Sequence, residues 1–220
     1  MEINLLDLYP VSKRPIDQRA ALVTEAHRRT AREFGAEFFD GDRLNGYGGY
    51  SYHPRFWTDT VRRIRDHYQL AQSASVLDVG CAKGFMMYDF KLLMPHMDIR
   101  GIDISRYAHD HAKPEMKPFM EVASARDLPF DDDSFDLVIC INTIHNLPLG
   151  DCTRAVREIQ RVSRQHAFIV NDAWHNPAEQ QAMESWNLTA LTTLHVDDWK
   201  KLYADNGYTG DYGWFIAESS

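Results

Sequence analysis

The sequence predicts an α/β fold, a doubly wound and mostly parallel sheet of seven strands. Short apolar runs alternate with stretches of helical apolar spacing between residues 75 and 171, which is typical of parallel strands joined by crossover helices. The run Val76–Val79 leads through a turn with two glycines directly into a helix, and the next run ends at an acid, Asp103. A parallel sheet of this kind places such strand ends together at one edge.

The elements can be assigned in order from apolar spacing and from Pro and Gly breaks. A helix follows Pro54, because Trp57, Val61, Ile64 and Tyr68 fall on one helical face. The next elements are strand Ser75–Val79, helix Phe85–Leu93, strand Asp98–Ile102, helix Ser105–Ala112, strand Phe119–Val122, strand Phe135–Ile141, helix Asp151–Ser163 and strand His166–Asn171.

The C-terminal part departs from this alternation. A helix over Asp197–Asp205 ends at Asn206-Gly207. Two aromatic-rich runs follow, Tyr208–Asp211 and Tyr212–Ala217. We predict that they form an antiparallel hairpin that closes one edge of the sheet.

The first 52 residues form an N-terminal extension, and residues 53–220 form the main domain. Apolar residues at near-helical spacing predict one polar helix over Ile16–Phe38, which ends at the turn Asp40-Gly41-Asp42. The stretch Gly46–Tyr52, here called the aromatic segment, combines three glycines with three tyrosines. It has too much glycine for a helix and too many rings for a solvated linker.

Composition narrows the function. The chain has 24 Lys and Arg against 32 Asp and Glu, a formal charge of −8, so nucleic acid is a less favoured partner, although a local basic patch is still compatible. No apolar run reaches the roughly 20 residues that span a bilayer, and we expect no membrane partner. Three cysteines are too few for a disulfide framework, which predicts a cytoplasmic location.

The glycine turn predicts a nucleoside site. Gly80 and Gly84 remove β-carbons, so that a ligand can lie directly on the backbone, and Asp103 is placed to hold ribose hydroxyls. A dinucleotide site would need G-x-G-x-x-G spacing, which is absent. Asp78 would repel a pyrophosphate but suits a cationic amino group. The nucleoside favoured is therefore S-adenosylmethionine.

Several motifs in order resemble those of class I S-adenosylmethionine-dependent methyltransferases. Asp78–Gly84 resembles D-x-G-x-G-x-G with Ala82 at the middle glycine, and Asp127–Val138 resembles the D-L-P-F-x-D-x-S-F-D-x-V run. Arg157–Val162 is similar to the family's helix before strand five. The resemblance extends from about Val61 to the C-terminus, and it implies the Rossmann-like methyltransferase fold with S-adenosylmethionine as cofactor and S-adenosylhomocysteine as product.

The resemblance also implies which residues contact the cofactor. The methionine end would lie on Asp78–Gly84, here called the glycine loop, the ribose on Asp103 and the adenine against Ile104. Ser124-Ala125 stands where many relatives have an acid-Ala pair, and Asn142 would border the sulfonium. The predicted cofactor-binding residues are Asp78, Gly80, Cys81, Ala82, Gly84, Asp103, Ile104, Ser124, Ala125 and Asn142. Read alone, Gly80 and Gly84 also suit close helix packing, Asp78 a turn cap, and Cys81 a small packed residue.

Catalytic candidates follow the strands that face the methyl group in this fold. His145 is the first candidate for a base or an orienting group, with stacking on adenine or a loop cap as the alternative. Asp172 and His175 come second, with ordinary loop polarity as their alternative.

The aromatic segment is predicted to fold over the cofactor as a lid, with Tyr47, Tyr50, Tyr52 and Arg55 lining the acceptor pocket. A tyrosine of this lid or Arg55 could also hold the methionine carboxylate. The alternative is an aromatic clasp that ties the N-terminal helix to the main domain.

These observations predict a metal-independent methyltransferase acting on an N or O nucleophile of a small molecule, such as a sugar, an amine or a secondary metabolite. His109-Asp110-His111 and Asp131-Asp132-Asp133 are expected to be surface and turn residues, not metal sites. A monomer or homodimer is expected. The first alternative is a non-catalytic protein that binds an adenosyl ligand, and the less favoured one is a nicotinamide-dependent oxidoreductase.

Overall fold

The computed structural model describes residues 1–10 and 16–217 of the chain. Within these residues the sheet has seven strands, in the order β3-β2-β1-β4-β5, with β6 and β7 both paired to β5. The strands are β1 (Ser75–Val79), β2 (Asp98–Asp103), β3 (Met120–Val122), β4 (Phe135–Ile141), β5 (Ser163–Trp174), β6 (Leu194–His195) and β7 (Asp211–Phe215). The predicted α/β class and its mostly parallel sheet are confirmed.

Helices cover both faces of the sheet. They are α1 (Ile16–Ala20), α2 (Glu25–Ala31), α3 (Ala36–Phe39), α4 (Pro54–Tyr68), α5 (Phe85–Leu93), α6 (Arg106–Asp110), α7 (Leu149–Val162), α8 (Pro177–Trp186) and α9 (Val196–Asp205). Ile64 of α4 and Phe90 of α5 belong to the core on one face. Ile159 of α7 and Trp199 of α9 belong to the core on the other. Burial on both faces explains why the central strands are almost continuously apolar.

The predicted antiparallel hairpin at the C-terminus is wrong. β7 pairs with β5 in parallel, from Phe168 opposite Asp211 to Asp172 opposite Phe215. Strand β6 was not predicted. It precedes α9, so the chain passes from β6 through α9 to β7, and a helix between two strands of one sheet allows them to run parallel. The predicted strand Tyr208–Asp211 does not form, because Tyr208 is buried against α9 and its hydroxyl donates to the Asp211 carbonyl at 2.7 Å.

The single N-terminal helix predicted over Ile16–Phe38 is also wrong, because α1, α2 and α3 are separate. Thr24 caps α2, with its hydroxyl accepting from the His27 N–H at 3.4 Å. Phe34 adopts a left-handed φ of 48°, and α3 begins after Gly35. Capping residues inside an amphipathic pattern end helices that the pattern alone would continue. The predicted domain limits also take in residues 11–15 and 218–220, which lie outside the described residues.

Helix α8 was not predicted, although its start carries a clear cap. The Asn176 carboxamide oxygen accepts from the N–H groups of Ala178 and Glu179, both at 3.0 Å, and Pro177 occupies the first turn. Helix α8 packs on the N-terminal extension through Met183, which is buried together with Ile16. This contact brings the extension over the carboxyl edge of the sheet. None of the described helices is both long enough and apolar enough to cross a bilayer.

Candidate cofactor and acceptor site

A cavity of about 2330 Å³ opens at the carboxyl ends of β1, β2, β4 and β5, beneath the N-terminal extension. Parallel α/β sheets bind their ligands at this edge. The volume exceeds the roughly 300–1,000 Å³ usual for one small ligand, so the cavity has room for a nucleoside and a second molecule. Of the predicted site residues, Gly84 and Tyr52 do not line it. Residues from all three predicted sets do: Asp78, Gly80, Cys81, Ala82, Asp103, Ile104, Ser124, Ala125, Asn142, Tyr47, Tyr50, Arg55, His145, Asp172 and His175.

The glycine loop is shaped by contacts within the protein. Gly80 has φ +84°, and a β-carbon there would collide with the Thr143 hydroxyl. A β-carbon at Gly84, with φ +74°, would meet Met116 Cβ at 3.0 Å. The missing β-carbons therefore also let neighbouring side chains approach the loop, while Gly80 lines the cavity, and contact of either glycine with a ligand stays a prediction. Ala82, where the family motif has its middle glycine, also adopts a left-handed φ of 49°.

Asp103, at the end of β2, holds the glycine loop through a hydrogen bond to its backbone. Its Oδ2 accepts from the Ala82 N–H and its Oδ1 from the Ser105 N–H, both at 2.8 Å. Burial raises the pKa of Asp103, and the two backbone hydrogen bonds oppose that shift. A carboxylate has further lone pairs, so Asp103 can support the loop and still accept from hydroxyls of a ligand in the cavity.

Asp78 at the end of β1 is a buried acid at the floor of the cavity. Burial and the charge of Asp103 raise the pKa of Asp78 to about 8. Among the described residues it forms no ion pair that would lower this value. A cationic ligand group beside Asp78 would supply the missing positive charge.

The remaining predicted cofactor residues differ in exposure. Ile104 is 59% exposed in this structure, on the cavity wall beside Asp103, as an apolar surface for a ring would be. Ser124 is half-buried, and Ala125 is buried. Asn142 follows β4 with a left-handed φ of 51°. Cys81 is buried and burial raises the pKa of its thiol, which keeps the thiol protonated and suits a packing role.

His145 and Asp172 meet at the ends of β4 and β5. His145 Nδ1 accepts from the backbone N–H of Asp172 at 3.0 Å, and Asp172 Oδ1 lies 3.6 Å from the same nitrogen. Burial lowers the pKa of His145 to about 3 and raises that of Asp172 to about 7. His145 is therefore neutral, and the contact is not an ion pair.

His175 lies at the rim of the cavity and is exposed. Its Nδ1 lies 2.9 Å from Glu179 Oε2, and its carbonyl is 3.0 Å from His195 Nε2. The structure brings His145 and Asp172 together and leaves His175 in the local network at the start of α8.

The aromatic segment lines the cavity with only some of its predicted residues. The Tyr47 hydroxyl accepts from the Leu188 N–H at 2.7 Å, and its ring stacks on Trp186 with centroids 5.2 Å apart. The buried Tyr50 hydroxyl has no partner among the described residues. Tyr52 faces away from the cavity and donates to Asp89 at 3.0 Å, while Arg55 lies over the Phe56 ring at the wall.

Lys83 of the glycine loop holds this extension, a role that was not predicted from the sequence. Its side chain is buried, and Nζ donates to the Asp40 carboxylate at 2.6 and 2.7 Å and to the Tyr50 carbonyl at 3.0 Å. Tyr107 of α6 donates to the same carboxylate at 2.8 Å. A lysine inside a ligand-binding loop carries no signal in the sequence that its partner lies 43 residues earlier.

The donor set fits an S-adenosylmethionine cofactor. A buried acid without a counter-charge, Asp78, matches an ammonium group, and Asp103 matches a diol. Ile104, the next residue along the chain from Asp103, offers an apolar face for a ring.

Comparison with known proteins agrees with this geometry. Residues 76–166 match the family described as a methyltransferase domain. A protein of Encephalitozoon cuniculi that is named as a methyltransferase is 30% identical over 174 residues, which cover 70% of this chain and 78% of the relative. The chain therefore belongs to the class I S-adenosylmethionine-dependent methyltransferases, a family whose methyl donor is S-adenosylmethionine.

More distant relatives share the same domain. A demethylmenaquinone methyltransferase of Lysinibacillus sphaericus is 23% identical over 138 residues, covering 59% of this chain and 55% of the relative. The chain spans little more than half the length of several curated relatives that it matches. The structure of a geranyl diphosphate methyltransferase in complex with S-adenosylmethionine has a TM-score of 0.56 and 15% identity, covering 69% of this chain and 65% of that one. At this identity the likeness shows the fold.

Proposed function

We propose that this protein transfers a methyl group from S-adenosylmethionine to an oxygen or nitrogen of a small molecule. The observation that supports it is one cavity in which the cofactor residues and a buried polar pair, His145 and Asp172, share a wall. The aromatic segment and Trp186 at the end of α8 line that cavity above the strand ends, and its volume exceeds what one nucleoside needs.

The residues contribute mainly by holding the reactants. The cofactor, when bound, supplies a methyl group on a positively charged sulfur, which is already activated for displacement. Asp78 would hold its amino group and Asp103 its ribose, with Asn142 at the sulfonium. Holding the two reactants in line can lower the activation barrier by roughly 7–11 kcal/mol. We therefore expect the positioning of cofactor and acceptor to contribute most to catalysis.

Residues 1–52 are proposed as an extension of helical structure and an aromatic lid, and residues 53–220 as the S-adenosylmethionine-binding methyltransferase domain. Tyr47 and Tyr50 line the cavity and support the lid, whereas Tyr52 ties the segment to α5 through Asp89 and supports the clasp. The segment combines the two roles. Cytoplasmic location, a monomeric or dimeric state and the absence of a nucleic-acid partner belong to the same proposal.

Two measurements test the function. Calorimetry with S-adenosylhomocysteine should show micromolar or tighter binding, and NAD should not bind. The protein incubated with S-adenosylmethionine and a panel of hydroxyl and amine compounds should then form S-adenosylhomocysteine with at least one of them. Binding of NAD in place of the adenosyl ligand would support the oxidoreductase. Tight adenosyl binding with no turnover over the whole panel would support the non-catalytic alternative.

A further inference from the structure

Asp172 is a buried acid of the cavity whose carboxylate is not committed elsewhere. Its side-chain oxygens accept no hydrogen bond from the described residues, and His145 Nδ1 lies 3.6 Å from Oδ1. The main chain of Asp172 is firmly held, because its N–H donates to His145 and its carbonyl accepts from Trp199 Nε1 at 3.0 Å. A fixed backbone with an unpaired carboxylate suits a group that must meet a ligand atom.

The Nδ1 atom and the carbonyl of His145 are committed to the protein instead. Its Nδ1 is occupied by the Asp172 N–H. Its carbonyl accepts from the N–H groups of Leu191 and Thr192 at 3.0 and 2.9 Å, in the segment that also fixes the Tyr47 hydroxyl through Leu188. His145 therefore joins Asp172 to the aromatic wall.

The wall beside Asp172 is aromatic. Tyr47 and Trp186 stack at 21° between their planes, and Phe215 packs on Trp186 with centroids 5.7 Å apart. All three line the cavity that Asp172 also lines, and Phe215 lies opposite Asp172 in the parallel pairing of β5 with β7. Arg19 lies over the Tyr47 and Trp186 rings, 5.4 Å from each centroid, and the ring surface that these contacts leave to the cavity favours a planar ligand.

We propose that the methyl acceptor is a planar aromatic compound with a ring hydroxyl, that the Asp172 carboxylate takes the proton of that hydroxyl, and that His145 is a positioning residue for Asp172. This inference rests on the proposed function and names its acceptor class. It assigns the base to Asp172 among the three candidates predicted from sequence.

The transfer step balances without another reactant. The acceptor oxygen forms a bond to the methyl carbon as the carbon–sulfur bond breaks, and that electron pair stays on sulfur to give the neutral thioether. The hydroxyl proton moves to the Asp172 carboxylate, which returns it to solvent after product release.

The proton affinities support a ring hydroxyl. A phenolic hydroxyl has an ordinary pKa of about 10. Burial raises the pKa of the Asp172 carboxyl to about 7, close enough for this carboxylate to accept the phenolic proton during the transfer. An alkyl hydroxyl resembles water, with a pKa of roughly 15.7, and a neutral amine attacks without prior loss of a proton. A buried carboxylate is most useful for the first of these.

The test uses 2-naphthol as acceptor probe, with 2-naphthylamine, cyclohexanol and naphthalene beside it. Protein is first saturated with S-adenosylhomocysteine, and probe binding is measured by calorimetry from about pH 5.5 to 9. Wild-type protein should prefer 2-naphthol and bind it about tenfold more tightly above pH 7, the scale of one charge-assisted hydrogen bond. Methylation of 2-naphthol should rise with pH through the same range.

Variants separate the two roles. Asp172→Asn should keep adenosylhomocysteine binding, lose the pH dependence and reduce turnover by about 10²–10⁴-fold. His145→Asn retains an acceptor atom near the Nδ1 position and should keep the wild-type pH profile, whereas His145→Ala should lower kcat without moving it.

Each other outcome contradicts the inference. Equal 2-naphthol affinity in wild-type protein and Asp172→Asn, loss of the pH dependence in His145→Asn, preference for the amine or the alkyl alcohol, or no binding of any ring hydroxyl at millimolar concentration would overturn it. Failure to bind S-adenosylhomocysteine would instead overturn the proposed function, so the two failures are distinguishable.

Discussion

At the scale of single residues, Gly80 shows how backbone geometry and packing coincide. Its φ of +84° disfavours any side chain, and the Thr143 hydroxyl occupies the space that a β-carbon would need. Gly80→Ala should therefore lower the free energy of unfolding by about 2–5 kcal/mol, the sum of a left-handed backbone and an overpacked contact. Urea denaturation measures this.

Gly207 is a matched control for that change. It has φ +69°, but nothing lies within 4 Å of a β-carbon there. Gly207→Ala should cost only the backbone part, about 1–2 kcal/mol. Equal losses in the two variants would show that Thr143 yields and that the contact does not constrain the loop.

Asp103 combines loop support with the predicted ribose contact. Asp103→Ala removes the acceptor of the Ala82 and Ser105 N–H groups and any bond to the ribose. We expect S-adenosylhomocysteine to bind more weakly by about 1.5–3 kcal/mol, the scale of lost charge-assisted hydrogen bonds, as measured by calorimetry. Asp98→Ala, at the exposed start of the same strand, should leave the affinity unchanged. An unchanged affinity in Asp103→Ala would remove the ribose assignment.

At the scale of elements, the link between the glycine loop and the extension is testable. Lys83→Met keeps the side-chain stem and removes the hydrogen bonds to Asp40 and to the Tyr50 carbonyl. The loss of roughly 1.4 kcal/mol or more, within the range for bonds to a charged group, corresponds to about tenfold faster local opening. Trypsin should then cleave after the exposed Arg43 correspondingly faster.

Lys91→Met serves as the control, because Lys91 Nζ donates to the Pro95 and Met97 carbonyls at the end of α5, away from the extension. Its cleavage rate at Arg43 should equal that of the wild type. Equal rates in Lys83→Met as well would mean that the aromatic packing alone holds the extension.

The elements also show how much of the secondary structure can be predicted from the sequence. Strands β1, β2 and β4 and helix α5 agree with the predicted ranges to within a residue, and α4 begins at Pro54, beside its predicted start, because buried parallel strands and amphipathic helices carry strong periodic signals. Strand β6 was not predicted, since a strand of two residues, Leu194–His195, has no period to detect. That omission produced the wrong C-terminal hairpin.

The site divides in the same way. The motif residues of the loop and the strand ends, apart from Gly84, line one cavity, because short motifs fix local geometry. The orientation of Tyr52 away from the cavity and the contacts of Lys83 were not predicted, because both depend on partners distant in the chain. The roles of all of these residues in binding and catalysis are still predictions.

At the scale of the whole molecule, buried acids make stability depend on pH. The folded-state pKa of Asp78 is raised to about 8 and that of Asp172 to about 7, from an unfolded value of 3.8. Between these values the folded state binds protons that the unfolded state has released, so stability falls as pH rises. His145, with its pKa lowered to about 3 from 6.5, acts in the opposite direction only below about pH 6.5.

The ligand-free protein should thus lose about 2–3 kcal/mol of unfolding free energy between about pH 6.5 and 8.5, at 1.36 kcal/mol for each unit of pKa difference. Thermal and urea denaturation at the two pH values measure this loss. Asp78→Asn should remove most of it and be the more stable protein at pH 8.5, whereas the exposed Asp98→Asn should keep the wild-type slope.

Saturating S-adenosylhomocysteine links this dependence to the site. The ammonium group of the ligand beside Asp78 would favour the ionised carboxylate and lower its pKa, so the stability of the complex should change less with pH than that of the free protein. The affinity should accordingly increase from pH 6.5 towards pH 8, by the amount that the free protein loses through Asp78. An affinity that falls over this range would place the ammonium group away from Asp78 and leave the acid as a structural residue of the loop.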